Sequence, residues 1–160
     1  MSSTDPQSQR LKFVVNEAED AEVHDFLAQQ IREHNNQVSA HHRRVRVDGL
    51  NPFQIVVRDD EGEIVAGVAA STYWQWLEVD KLWVDESLRG RGVGRQLLRR
   101  AEEIAIERGC LRAMLTTYSF QARGFYEKEG YRIVGALEDY PPGSTFYWLR
   151  KDFGDDRVTG

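Results

Sequence analysis

Residues 89–95 alternate arginine and glycine in the order Arg-Gly-Arg-Gly-Val-Gly-Arg. They follow a short apolar segment and precede a helical pattern, so the glycines stand where a helix begins. Backbone N–H groups at that point lack intrahelical acceptors and lie at the positive end of the helix dipole. Glycine lets an anion approach this backbone closely, and Arg89, Arg91 and Arg95 add positive charge. The stretch therefore predicts a phosphate-binding loop.

Two common phosphate-binding motifs do not fit this loop. The dinucleotide fingerprint G-x-G-x-x-G fails because Arg95 stands where its third glycine should be. The nucleotide-binding pattern G-x-x-x-x-G-K-[ST] fails because no Lys-Ser or Lys-Thr pair follows the glycines. Two interpretations remain: the loop binds the pyrophosphate of another cofactor, or it is a glycine-rich turn that only begins a helix.

Hydrophobic periodicity and turn residues predict the elements that position this loop. Strands are expected at residues 11–16, 53–58, 64–73, 77–84, 111–118, 131–137 and 145–151. Helices are expected at residues 18–35 with Asp20 as the cap, from the loop to residue 108, and at residues 120–128. This order predicts an α/β (α+β) domain over residues 11–151, with a largely antiparallel N-terminal half and a crossover through the helix at residues 92–108.

Length and composition predict a single globular domain. The chain has 160 residues, of which 41% are hydrophobic and 29% charged, which suffices for a core without disulfides. Residues 1–10 are polar, so we expect a disordered arm there rather than a secretory signal, and we expect a flexible tail at residues 152–160. No stretch approaches the roughly 20 apolar residues that a membrane helix needs.

Net charge indicates which classes of ligand the protein can bind, and cysteine content indicates its cellular compartment. A formal net charge of −5 disfavours nucleic acid as a ligand. Cys110 is the only cysteine, so no internal disulfide can form and we expect a cytoplasmic protein. Its position after Gly109 favours a place in the core. His41 and His42 suggest a metal site, but no second cluster has ligand spacing, so we expect a solvated loop and no metal.

The loop resembles the signature of a known family. Arg89-x-x-Gly92-x-Gly94 matches the Q/R-x-x-G-x-G/A pattern of the GNAT superfamily of N-acetyltransferases. Residues 125–131, which read Phe-Tyr-Glu-Lys-Glu-Gly-Tyr, strengthen the resemblance, and it extends over roughly residues 12–151. The resemblance implies a single GNAT-like domain with a mixed, strongly twisted sheet of about six to seven strands flanked by helices.

The resemblance also implies that acetyl-CoA serves as co-substrate. In the family, the loop binds the pyrophosphate, and the strand before it splays from its neighbour and offers backbone groups to pantetheine and the acetyl carbonyl. Ser119 stands where the family often has an asparagine that contacts the cofactor, and its reach is shorter. The implied cofactor-binding residues are Leu82, Trp83, Val84, Arg89, Gly90, Arg91, Gly92, Val93, Gly94, Arg95 and Ser119.

Acetyl transfer to an amine needs a neutral amine, a polarised carbonyl and a proton for the departing thiolate. A lysine-like amine has a pKa of about 10.4 and is mostly charged at neutral pH, so a carboxylate must take its proton directly or through water. Family members often place such a base on the strand that holds Glu78. Asp80, two residues further along the strand, lies on the same face as Glu78 and is a second candidate for the base. The alternative interpretation is that both carboxylates are solvated charges on the protein surface.

The resemblance assigns the remaining two roles. The Val84 N–H would polarise the carbonyl, as oxyanion donors do. Tyr126 lies where the family has its tyrosine acid, and a phenol of pKa about 10 keeps its proton at neutral pH until a thiolate takes it. The alternative for Tyr126 is a packed core aromatic.

The acceptor is the least determined part of the prediction. Aromatic residues around the strand before the loop would line either a cation-binding pocket or the core: Tyr73, Trp74, Trp76 and Trp83. A later loop would either border the acceptor cleft or form a solvated turn: Glu138, Asp139 and Tyr140. The acceptor is expected to be a primary amine of a small molecule or peptide.

Three functions fit these observations. The first is an acetyltransferase, the second is a non-catalytic acyl-CoA-binding sensor or interaction module on the same fold, and the third is an enzyme that uses a longer acyl-CoA. The presence of both Tyr126 and Glu78 favours an enzyme over a sensor. Related enzymes are frequently dimers, so a homodimer stays open.

Overall fold

The computed structural model describes residues 11–154, except the side chains of residues 46–48. The predicted arm at residues 1–10, and residues 155–160 of the predicted tail, lie outside the described residues. The chain divides into two compact units, the first ending at Arg43 and the second beginning at Arg44.

The first unit contains helix α1 (Ala21–Val38) and the start of helix α2 (Ala40–Asp48). Asp20 caps α1, as predicted, because its carboxylate accepts the backbone N–H groups of Glu22 and Val23. The cap places the start of α1 three residues after the predicted start at residue 18.

Two predictions for the first unit are wrong. Residues 11–16 form no strand, and their side chains are exposed. A short apolar segment becomes a strand only where a partner strand pairs with its backbone, and the local sequence does not supply that partner. His41 and His42 lie in helix α2 rather than in a loop. The Ser39 hydroxyl accepts the His42 N–H, which stabilises the start of this helix.

The second unit is built on one six-stranded mixed sheet, in agreement with the predicted fold class. The strand order is β1-β2-β3-β4-β6-β5, and every neighbouring pair is antiparallel except β3 and β4. Each strand begins and ends within two residues of its predicted bounds: β1 (Asn51–Arg58), β2 (Ile64–Tyr73), β3 (Trp76–Val84), β4 (Arg112–Tyr118), β5 (Arg132–Glu138) and β6 (Thr145–Asp152). Asp152, which the sequence assigned to the tail, is therefore the last residue of β6.

Two α-helices of the described residues lie wholly within the second unit: α3 (Val93–Glu107) connects β3 to β4, and the short α4 (Arg123–Lys128) connects β4 to β5. Helix α3 packs its apolar stripe against β2 and β3. Leu98 and Ala101 on this stripe are fully buried, and burying one leucine contributes roughly 1.5–3 kcal/mol. Cys110 lies in the same core, as predicted.

A gap opens between the two parallel strands. β3 pairs with β4 only over residues 76–79 and 112–115. Beyond these residues the strands separate, so residues 80–84 of β3 and 116–118 of β4 have no ladder between them. β3 keeps its pairing with β2 along its whole length, and the gap is therefore confined to the carboxyl ends of two neighbouring strands.

A β-bulge lies where the gap begins. Val79 pairs with Ala70 of β2, and Lys81 pairs with the next residue, Ala69, so Asp80 is an extra residue on β3. A bulge of this kind bends its strand and increases the local twist. It therefore gives a physical reason for β3 to turn away from β4 at this point.

The bulge also changes which side chains of β3 face the core. Leu77 and Val79 are buried before it, whereas Leu82 and Val84 pack against the core after it. Glu78 therefore faces away from α3. We call the side of the sheet opposite α3 the outer face.

A closed polar network ties the C-terminal half of α3 to the sheet. The Tyr131 hydroxyl donates to Glu102 Oε1 at 3.0 Å, and Lys151 Nζ donates to Glu102 Oε2 at 2.7 Å. Only 10% of the Glu102 side chain is exposed. Burial, followed by the charge of Glu102, raises the pKa of Tyr131 well above its ordinary value. Both carboxylate oxygens are thus satisfied by donors from other elements.

Candidate active site

The glycine loop leaves the start of α3 uncapped. Gly90 and Gly92 have φ values of 75° and 79°, which favour glycine. Gly92 is the N-cap of α3 and has no side chain to cap it, and the first helical hydrogen bond runs from Gln96 N to Gly92 O. Within residues 11–154, the N–H groups of residues 92–95 have no acceptor. Four donors therefore converge at the positive end of the helix dipole.

The loop is held in place from the side of the sheet. Asp85 N donates to Val65 O of β2 at 2.9 Å, and the Asp85 carboxylate accepts both the N–H and the hydroxyl of Ser87. These bonds to Ser87 lower the pKa of Asp85 below its ordinary value. They close a single 3-10 turn (Glu86–Leu88) that sets the direction in which the chain enters the glycines.

The three loop arginines lie in different surroundings. Arg89 folds back on the loop, where its Nε donates to Val84 O at 3.2 Å and its guanidinium approaches Glu86. Arg95 Nε donates to Glu129 at 2.6 Å, and the Glu129 side chain is only 4% exposed. The side chain of Arg95 is thus engaged by a buried carboxylate, whereas its N–H stays open. The Arg91 guanidinium has no hydrogen-bond or ionic partner in the described part of the chain.

The last residues of β3 direct backbone groups into the gap. Residues along a strand point their N–H and C=O groups alternately to its two edges. Asp85 N bonds to β2, so the groups of Val84 point to the opposite edge, where β4 no longer pairs. By the same alternation, those of Leu82 share that edge. Trp83 pairs with Gly67 of β2 and has an exposed side chain on the outer face.

Glu78 lies on the outer face just before the gap and is held by Tyr73. The Tyr73 hydroxyl donates to Glu78 Oε2 at 2.5 Å across the hairpin of β2 and β3. Burial, and then this bond, raise the pKa of Tyr73 from 10.0 to about 12. Tyr73 therefore stays a donor at neutral pH, and it fixes one Glu78 oxygen while leaving the other open. The sequence contained no signal for this pair.

Tyr126 combines a buried ring with an unpartnered hydroxyl. The residue is 8% exposed, and its ring contacts Phe125 and Tyr131. Its hydroxyl has no hydrogen-bond partner among the described residues. Every fully buried polar side-chain atom of those residues has a partner, so this hydroxyl must reach solvent. Burial raises the pKa of Tyr126 above its ordinary value of 10.0.

Helix α4 brings Tyr126 to the start of α3. A Cβ on Gly94 would lie 3.5 Å from Val84 and 3.6 Å from Phe125, so the loop, the end of β3 and α4 meet there. Tyr126 belongs to the core on the α3 side of the sheet, whereas Glu78 lies on the outer face. The structure thus places the two predicted catalytic residues on opposite faces, on either side of the gap.

Several residues that the sequence analysis proposed for the site have other partners in the structure. Ser119 connects the end of β4 to β6, because its hydroxyl accepts the Thr145 N–H at 3.1 Å. Trp76 and Trp83 lie at opposite ends of β3, so they do not line one pocket, whereas Tyr73 and Trp74 contact each other with ring centroids 5.2 Å apart. Trp76 instead lies under the guanidinium groups of Arg112 and Arg150. Asp80 is exposed and pairs with Lys81.

Comparisons with known proteins relate this chain to acetyltransferases. The acetyltransferase (GNAT) family matches residues 13–131. The blasticidin-S acetyltransferase of Streptomyces morookaense is 41% identical over 114 residues, which are 69% of this chain and 84% of that protein. An acetyltransferase crystal structure from Bacillus cereus has a TM-score of 0.77 at 34% identity and covers 89% of this chain and 98% of that one. A Bacillus anthracis protein solved with acetyl coenzyme A shares the fold, with 22% identity, a TM-score of 0.58 and coverage of 65% and 64% of the two chains.

A glycine loop that opens a helix beside a split sheet is the arrangement that the resemblance to acetyltransferases implied. The chain belongs to the GNAT family of acetyltransferases. Its fold is a GNAT domain with a six-stranded mixed sheet flanked by helices, which confirms the predicted fold class. Among residues 11–154, no cluster of three or more histidine, cysteine, aspartate or glutamate side chains is arranged to hold a metal ion. None of the helices in that range has the length and apolar character needed to cross a bilayer.

Proposed function

We propose that this protein transfers the acetyl group of acetyl-CoA to a primary amine of a small molecule or peptide, by direct attack in a ternary complex. One observation carries the proposal: four backbone N–H groups that have no acceptor within residues 11–154 lie beside a gap in the sheet, with Glu78 on one face and Tyr126 on the other. The family membership supports the same reaction class. The lone buried Cys110 fits a reducing compartment, and we place the activity in the cytoplasm.

The start of α3 would hold the pyrophosphate of acetyl-CoA. The N–H groups of residues 92–95 donate to its oxygens, and Arg91 is the loop arginine whose charge is unpaired in the described residues. The open edge of β3 offers the peptide groups of Leu82 to the pantetheine amides, and Val84, whose C=O accepts from Arg89, offers its N–H to the acetyl carbonyl. Ser119, at the end of β4, has a hydroxyl hydrogen that can still be donated across the gap. Bound acetyl-CoA supplies an activated thioester.

The side chains around the gap would carry the proton transfers. Glu78 takes a proton from the ammonium group of the acceptor, directly or through one water, and so frees the nitrogen lone pair. The Val84 N–H donates to the thioester carbonyl oxygen, where negative charge develops as the C–N bond forms. Tyr126 donates its hydroxyl proton to the sulfur as the C–S bond breaks. The attacking nitrogen releases its second proton as the amide forms, this proton returns to the Tyr126 phenolate through solvent, and Glu78 loses its proton to water. The products are the N-acetylated amine and free CoA.

Similarity to blasticidin-S acetyltransferase suggests where to look for the acceptor. That relative is 41% identical and covers most of this chain. We therefore propose that the acceptor is a small-molecule antibiotic with a primary amine, and the acceptor screen should begin with blasticidin S. Lysine peptides and polyamines form the comparison set.

The decisive experiment has two parts. Calorimetry with CoA and acetyl-CoA measures cofactor binding, and an acceptor screen with acetyl-CoA measures release of free thiol. We expect saturable binding and thiol release with at least one amine. Absence of any heat with CoA or acetyl-CoA would refute the proposal. Saturable binding without acetylation of any amine would instead favour the acyl-CoA sensor.

A further inference from the structure

Five aromatic rings form a continuous cluster at the carboxyl end of β4. Phe120 stacks on Tyr118 with ring centroids 5.0 Å apart, and Tyr118 lies 4.9 Å from Phe146. Phe146 in turn contacts Trp148 at 4.8 Å and Tyr140 at 5.8 Å. We call these five residues the aromatic cluster. It joins β4, β6 and the two loops that follow β4 and β5.

The cluster is not part of the hydrophobic core. Phe120 is 64% exposed, Tyr140 53% and Trp148 39%. In β6 the core is filled by Leu149 and Tyr147, which alternate with Phe146 and Trp148. The other two rings, Tyr118 and Phe146, are half-buried beneath them. Three exposed rings on such a base form an apolar surface, and exposed apolar patches mark binding surfaces.

Strand register places the cluster on the face that carries Glu78. Glu78 is the register partner of Met114 on β4, and Thr116, two residues further on, is the partner of Trp148 on β6. Residues two apart on a strand share a face, as do antiparallel partners. Strand spacing and rise per residue then separate the Cα atoms of Glu78 and Trp148 by about 12 Å. The cluster therefore borders the gap on its acceptor side.

We infer that the aromatic cluster binds a planar group of the acceptor while the reacting amine lies at Glu78. This inference rests on the proposed function and specifies its substrate class: a primary amine connected to a flat, π-bearing group roughly 10 Å away. Flat groups stack on ring faces or pack against ring edges, and they gain more from such contacts than saturated groups of equal size. No charged group is needed for this recognition.

A matched pair of amines tests the inference. 6-Phenylhexylamine and 6-cyclohexylhexylamine have the same reach and similar apolar area, but only the first has a planar ring. We expect kcat/KM for the phenyl compound to be about tenfold higher. In the Trp148→Leu and Phe120→Leu variants, which change exposed side chains, this ratio should fall toward one while KM for acetyl-CoA stays constant. Leu111→Ala changes an exposed apolar side chain just before β4, at the end of that strand opposite the cluster, and should preserve the ratio.

The outcomes separate this inference from the proposed function. If hexylamine and both ring compounds are acetylated at equal kcat/KM, the inference is wrong and the acetyltransferase proposal stands. A preference for the phenyl compound that is unchanged in both cluster variants also overturns the inference, because the planar group then binds elsewhere. If no amine in this series or in the wider screen releases thiol, the proposed function fails, and the inference fails with it.

Discussion

The two ends of helix α3 differ in whether their polar groups have partners. Near the C-terminal end, Glu102 is bonded to Tyr131 and Lys151, and Arg108 donates to a carbonyl of β1 and a hydroxyl of β2. At the N-terminal end, the N–H groups of residues 92–95 have no acceptor in the described residues. The helix is thus fixed to the sheet at one end and open to a ligand at the other.

This difference shows which charged region is a candidate for binding. A cavity of about 500 Å³ lies along the C-terminal half of α3, and Glu102, Glu129 and Lys151 line it. These three side chains all have ionic partners, so an added ligand would have to break existing pairs. The donors at the start of α3 gain partners without such a loss. Unsatisfied polar groups, rather than cavity size, therefore identify the site.

The largest effect is expected at the open end from Tyr126→Phe. Loss of the acid should lower kcat by roughly 10²–10³-fold with little change in KM for acetyl-CoA. The free energy of unfolding should stay nearly constant, because the hydroxyl has no partner to lose in the described residues. Steady-state kinetics and chemical denaturation measure both. Unchanged kcat would remove Tyr126 from the mechanism.

The pH dependence of the wild type sharpens the same assignment. Burial raises the pKa of Tyr126 above 10.0, so the hydroxyl is protonated at neutral pH and loses its proton only as pH rises through that higher value. We therefore expect no alkaline fall in kcat below pH 10. A decline that begins near pH 8 and is absent in Tyr126→Phe would contradict this expectation.

The closed end should respond to substitution with lost stability instead of lost activity. In Lys151→Met, Glu102 keeps its burial but loses its cation, which should cost about 3 kcal/mol in the free energy of unfolding. Arg100→Met, which removes two exposed ion pairs on the same helix, with Glu103 and Glu107, is the matched control and should cost about 0.5 kcal/mol. Urea denaturation measures both. Equal losses in the two variants would show that the network does not stabilise the fold.

Gly92→Ala and Gly109→Ala compare the two ends of α3 directly. The two glycines have φ values of 79° and 81°, so each alanine should cost about 1 kcal/mol in stability. Only Gly92 lies among the open N–H groups, where a Cβ would obstruct a phosphate. KM for acetyl-CoA should therefore rise about tenfold in Gly92→Ala, as expected for loss of one hydrogen bond to a charged group. Equal KM values in the two variants would place the pyrophosphate elsewhere.

The smallest effect is expected from Tyr73→Phe, which removes the hydrogen bond that orients Glu78. We expect kcat/KM for the acceptor to fall about threefold to tenfold, because the carboxylate keeps its position but loses a fixed rotamer. Tyr147→Phe removes a tyrosine hydroxyl bonded to Arg123, away from Glu78, and should change kcat/KM less than twofold. An equal loss in both variants would exclude a specific role for Tyr73.

Much of the sheet and the glycine loop could be predicted from the sequence because their signals are local. Turn residues and alternating apolar positions located all six strands, and the spacing of Arg89, Gly92 and Gly94 indicated a coenzyme-binding loop. The strand predicted at residues 11–16 failed because pairing depends on a distant partner. The ion pair of Arg95 could not be predicted for the same reason, because its partner Glu129 lies 34 residues away in the sequence.

By itself, the sequence determined the order of the elements, the start of α3 at a run of glycines, and the side chains available for proton transfer. Only the tertiary structure decided that β3 bulges at Asp80 and separates from β4. It also decided that Glu78 and Tyr126 lie on opposite faces of the resulting gap, and that Tyr73 donates a hydrogen bond to Glu78. The reason is physical: backbone propensity acts over a few neighbouring residues, whereas register, burial and hydrogen-bond partners are set by segments that meet only when the chain folds.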